Sequence, residues 1–131
     1  MRAGMSNEKS SQTKVVLGSD NRLASAIANV LEDAGYSVDV VADYEEAARL
    51  WQRERHHLVL LEISHHQSLE RAVNIALRVK QQDATQFVGY LTDRNLHTSS
   101  LAGDVVLPRD AASLTLALKT LRALTFSGAR G

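Results

Sequence analysis

The chain predicts an α/β fold, a three-layer αβα sandwich with helices on both faces of a five-stranded parallel sheet. Three observations carry that prediction. Short segments rich in Val and Leu alternate with longer amphipathic ones along 14–124, the order that builds a parallel sheet with right-handed crossovers. Three of the short segments are nearly continuous apolar runs, as strands covered on both faces require. A length of 131 residues suits one domain with a single sizeable core.

The strands are read as KVVLG (14–18), SVDVV (37–41), HLVLL (57–61), QFVGYL (86–91) and GDVVL (103–107). A first helix fits 20–34, where Leu23, Ile27, Val30, Leu31 and Ala34 share a face and Gly35 supplies a stop. The second fits 43–55: Asp43 with Glu46 makes a capping box, and Ala47, Leu50 and Trp51 form the apolar stripe. Segment 68–82 opens at Ser68 and carries Leu69, Val73, Ala76 and Leu77. Segment 110–124 opens at Asp110 and carries Leu114, Ala117, Leu118, Leu121 and Leu124. Between the fourth and fifth strands, TDRNLHTSSLA (92–102) has room for a turn or two of helix. Residues 1–13 are polar and patternless and read as a disordered leader, 14–124 as the domain, and 125–131 as a loose tail or linker.

Lys plus Arg and Asp plus Glu each number 15, so the formal charge is zero. A balanced chain has no field to concentrate it on DNA or an anionic membrane, which disfavours nucleic acid as a partner. Without cysteine there are no disulfides, thiolate metal sites or Cys nucleophiles. No apolar run approaches a membrane span, and a reducing cytoplasm suits the composition.

In such sheets function sits at the carboxyl ends of the strands. Those ends are Gly18-Ser19-Asp20, Glu62, Thr92 and Leu107-Pro108. With LEDAGYSVDVVADYEEA, HLVLLEIS, LT at 91–92 and VVLP at 105–108, this layout resembles the receiver domain of bacterial two-component response regulators, a CheY-like, flavodoxin-like fold. The resemblance runs from Lys14 to about Leu124 and includes a shortened fourth helix. It implies phosphoryl transfer from a histidine kinase onto an aspartate ending the third strand. Mg²⁺ held by an acidic pair after the first strand, a lysine before a proline after the fifth, and a Thr or Ser ending the fourth complete the family's site.

Residue by residue, most of that chemistry is missing. Glu62 stands at the phosphoacceptor position, the acidic pair falls on Gly18 and Ser19 with Asp20 next, and the lysine falls on Leu107. Pro108 remains, and with it the family's cis peptide is implied; Thr92 remains as the switch position. Mg²⁺ wants near-octahedral oxygen ligation, which Gly18 and Ser19 do not supply, so its binding is expected to be weak or absent. Removing one electrostatic partner of a transferring group typically costs on the order of 3 kcal/mol of barrier. The expectation is a degenerate pseudo-receiver that catalyses nothing, takes no phosphate and acts by protein–protein contact. Its partners would be a histidine kinase, an output domain or a second copy, the last through the face carrying Leu116. Glu62 then either mimics the activated state and holds Thr92 inward, or simply caps its loop or pairs with Arg94 or Arg109. Two alternatives stay open: a phosphorylatable receiver using Glu62, and a flavodoxin-like module binding a small ligand.

Other constellations read as ordinary. His56-His57 and His65-His66 read as solvated loop histidines, since adjacent loop histidines have no fixed ligand geometry for Zn²⁺. GSDNRL is neither a dinucleotide fingerprint nor a P-loop, so Gly18 reads as a tight turn and Ser19 or Asp20 as a helix cap. No Ser-His-Asp arrangement can be assembled from position. Arg49, Arg53 and Arg55 are interleaved with acids and read as a solvated face.

Overall fold

The computed structural model of the chain describes residues 13–19, 24–65, 67–93 and 102–130, with side chains as far as residue 120. The elements are β1 (Thr13–Gly18), α1 (Ala24–Asp33), β2 (Tyr36–Val41), α2 (Tyr44–Glu54), β3 (Leu58–Glu62), α3 (Ser68–Gln82), β4 (Phe87–Leu91), β5 (Val105–Leu107) and α4 (Ala111–Arg130). The strands lie in the order β2-β1-β3-β4-β5, and every neighbouring pair is parallel.

Strand alternation sends successive side chains to opposite faces, and the core divides accordingly. Val16, Val59, Leu61, Val88 and Tyr90 pack beneath α2 and α3. Val15, Leu17, Leu58, Leu60, Leu91 and Leu107 pack beneath α1 and α4. Both faces of β3 are therefore buried along its whole length and apolar from Leu58 to Leu61, which is why that strand reads as an unbroken run up to Glu62.

Local signals act where expected. The Asp43 carboxylate accepts the Glu46 N–H at 2.8 Å and caps α2. Asp110 accepts the Ser113 N–H at 2.9 Å and opens α4. Gly35, at φ 101°, ends α1 in the left-handed region. Arg55 enters the same region at φ 51° to close α2, and its guanidinium lies 4.7 Å from the Trp51 ring centroid.

Several expectations are corrected. β1 begins at Thr13, inside the segment read as leader, because Thr13 still pairs with Tyr36. The last helix continues to Arg130 through the segment read as a loose tail. The buried stripe of α3 is Ala72, Ile75, Ala76 and Val79, and Leu77 is exposed. Among the described residues no peptide bond is cis, so the Leu107–Pro108 bond is trans. The shortened helix read within 92–102 falls, over 94–101, outside the described residues, as do the leader before Thr13 and Asp20.

Candidate functional site

The parallel register brings the strand ends to one rim. Gly18 stands between Val41 and Leu61, Glu62 beside Leu91, and Leu91 beside Leu107. Beyond those ends, the Ile63 N–H donates to the Leu91 carbonyl at 2.8 Å and the Thr92 N–H to the Leu107 carbonyl at 3.0 Å. Glu62, Ser19, Thr92 and Leu107 are thus gathered in one place and buried. Pro108 follows immediately and leads to Arg109, the bend before α4.

Glu62 is fully buried, and each carboxylate oxygen has its own donor. The Ser19 hydroxyl donates to Oε1. Arg109 Nε donates to Oε2 at 2.8 Å. Arg109 Nη1 also reaches Asp93 Oδ2 at 3.3 Å, so one guanidinium spans the ends of β3 and β4. The Tyr44 hydroxyl donates to the Glu62 carbonyl and fixes the backbone from the α2 side. A buried carboxylate costs several kcal/mol to desolvate, and it persists when a cation and hydrogen-bond donors meet its lone pairs. Here both are present.

Of the two pairings read for Glu62, the structure describes the one with Arg109; Arg94 lies outside the described residues. The Ser19 hydroxyl donates its proton to Glu62, and the start of the first helix at 20–23, where Ser19 or Asp20 is read as the cap, lies outside the described residues. Nor does Gly18 make a turn: it is a strand residue in ordinary extended backbone. A Cβ there would lie 3.1 Å from the Ala47 Cβ, so Gly18 exists to let α2 approach β1. Leu107 points into the core beneath α1 and α4 and leaves no ammonium at the rim. Sequence reasoning missed Asp93 and Tyr44, and neither carries a motif that would have found it.

The receiver-like fold implies Mg²⁺ at such a rim, and the donors among the described residues do not fit it. Gly18 offers no side-chain ligand, the Ser19 proton faces Glu62, and a guanidinium already contacts the remaining Glu62 oxygen. A divalent ion would have to displace that cation and complete a six-oxygen shell.

At the opposite pole, His56 corrects the reading of its pair as solvated: the ring is buried, with Nε2 2.8 Å from Asp39 Oδ2. Asp39, Glu54 and His56 could group ligand atoms within 4.8 Å, yet Lys14 Nζ lies 3.5 Å from Glu54 Oε1. Metal on Nε2 would put the proton on Nδ1, which is buried without a partner among the described residues, whereas ligating histidines donate that proton to an acceptor. The group ties β2 to the start of β3. His57 accepts the Lys14 N–H at 2.9 Å through Nδ1 and closes β1.

No protein-family model and no curated protein sequence matches the chain. Solved structures do. The chemotaxis protein CheY4 of Vibrio cholerae superposes with a TM-score of 0.71 at 20% identity, over 86% of this chain and 98% of that one. A CheY-like receiver domain protein from Methanospirillum hungatei gives 0.72 at 15% identity, over 92% and 100%. The response regulator TrrA of Thermotoga maritima, solved in complex with Mg²⁺ and BeF, gives 0.70 at 19% identity, over 85% and 98%. The fold is that of response-regulator receiver domains. No described helix is long and apolar enough to cross a membrane.

Proposed function

We propose that the chain is a receiver-like module of two-component-type signalling that takes no phosphate and works by binding protein partners. One observation carries this reading: Glu62, at the end of β3, is buried with both carboxylate oxygens already held by Ser19 and Arg109. Phosphoryl transfer needs an exposed oxygen aligned with the donor, and charge stabilisation assembled around the transferring group. Glu62 offers neither, because its lone pairs point at partners inside the protein. The pair Glu62–Arg109 instead holds the rim in one fixed state.

On this reading the domain is not an enzyme, and its partners are proteins of a signalling pathway, among them a kinase or an output domain. A cytoplasmic location goes with those partners. The test is incubation with acetyl phosphate and Mg²⁺, followed by intact-mass measurement. No added phosphoryl mass is expected; a phosphorylated species that disappears in Glu62→Gln would overturn the reading.

A further inference from the structure

The disagreement between the implied divalent ion and this donor set carries a second step. We infer that Arg109 is a tethered cation standing in place of that ion, so that the state of the rim is independent of divalent metal. The inference rests on the reading of the chain as a receiver-like module that takes no phosphate.

Arg109 performs the charge role that a divalent ion would perform between acids. It lies between two carboxylates from different strand ends, 2.8 Å from Glu62 Oε2 and 3.3 Å from Asp93 Oδ2. Its side chain is only 17% exposed and Glu62 is fully buried, so salt screens that contact poorly. The cation cannot exchange with solvent, because the chain holds it between Pro108 and Asp110. Arginine also keeps its charge at every accessible pH, and its planar fork directs separate N–H groups at the two acids. A metal ion would leave with chelation; this cation leaves only by mutation.

Removing Arg109 exposes the consequence. Glu62 and Asp93 then share a rim without a counter-charge among the described residues, and a divalent ion becomes the cation available to answer them. The experiment compares thermal unfolding of the full chain in chelator and in millimolar MgCl₂ or MnCl₂, for wild type, Arg109→Gln and Arg109→Lys. Wild type and Arg109→Lys are expected to be indifferent to the metal, since both keep a resident charge. Arg109→Gln is expected to unfold earlier in chelator and to recover with metal. Its apparent Mn²⁺ affinity should rise on the order of ten-fold over wild type, about 1.4 kcal/mol. The double variant Glu62→Gln/Arg109→Gln should lose that response, because the buried anion has gone with the cation.

A metal-indifferent Arg109→Gln, or a wild type that responds as strongly as it does, overturns the inference. If Arg109→Gln does not fold, Arg109→Lys decides: a metal response there overturns it, and indifference with a retained fold supports it. Phosphate incorporation into wild type would sink the signalling reading itself, which a metal titration leaves untouched.

Discussion

Two buried ionisable side chains flank the same strand. Glu62 ends β3, and His56 stands just before it begins. Glu62 has a donor for each oxygen, one of them a guanidinium only 17% exposed. His56 has a partner for one ring nitrogen, and that partner, Asp39, is 48% exposed. Its other nitrogen has none among the described residues. The Glu62–Arg109 contact is therefore a buried ion pair, whereas the His56–Asp39 tie at the opposite pole has one partner that water screens. Burial alone does not mark a site; what distinguishes Glu62 is that its buried charge is met by a largely buried cation, while the second acid on that cation, Asp93, is 69% exposed.

The largest effect should come from breaking the rim. Arg109→Ala leaves a fully buried carboxylate without its cation and is expected to cost about 3–5 kcal/mol in urea unfolding. Asp39→Ala at the pole should cost about 1 kcal/mol or less, because solvent already competes for that carboxylate. Equal losses would erase the contrast between the two ends.

Glu62→Gln comes next. It removes the buried charge together with its charge-assisted bond, while an amide oxygen can still accept from Ser19. A loss of about 1.5–3 kcal/mol is expected, below that of Arg109→Ala. The reverse order would mean that the cation, and not the anion, is the group that burial penalises.

Tyr90 tests the cost of a buried polar atom that is itself neutral and poorly hydrogen-bonded. The ring is buried over Gly103, where an added Cβ would come within 2.4 Å of it, and the hydroxyl, with the Gly103 backbone N–H beside it, makes no well-aligned hydrogen bond among the described residues. Tyr90→Phe should raise stability by on the order of 1 kcal/mol, measured by the same unfolding. Burial pushes the Tyr90 phenol up to about 12. The folded state then holds its proton longer than the unfolded chain does. Stability is thus expected to fall as pH rises from 10 towards about 12, and Tyr90→Phe should flatten that limb.

The smallest effect belongs to the exposed cap of α4. Hydrogen bonds from Ser113 hold the Asp110 carboxyl below its ordinary value. Its contribution is present at neutral pH and is lost as pH falls through the depressed folded value. Asp110→Ala should lower stability slightly at neutral pH and converge with wild type in acid, so that the acid limb of the stability profile flattens.

Much of the fold was legible in the sequence because its signals are local. The Asp43 and Asp110 caps, the Gly35 stop and the apolar runs each act within a few residues, and each lies where the pattern places it. The stripe of α3 was misread by less than a turn, since Leu77 and Val79 are equally apolar and only packing chose between them. At the site, the strand-end positions of Glu62, Ser19, Thr92 and Leu107 were legible. Their partners were less so: Arg109 was one of two arginines available to Glu62. Gly18 was read as a turn because a helix approaching from elsewhere in the chain leaves no trace beside it.

By itself the sequence determined the alternation of strands and helices, and with it an acid at the end of the third strand whose expected machinery was absent. Tertiary structure decided how that acid is answered. Ser19 and Glu62 are 43 residues apart and Glu62 and Arg109 are 47 apart. Only the parallel register brings them together, because a strand order of β2-β1-β3-β4-β5 stacks separate carboxyl ends on one rim. The same register placed His56 beside Asp39 at the other pole. Whether a buried charge is compensated depends on distance in space, and spacing along the chain does not encode it.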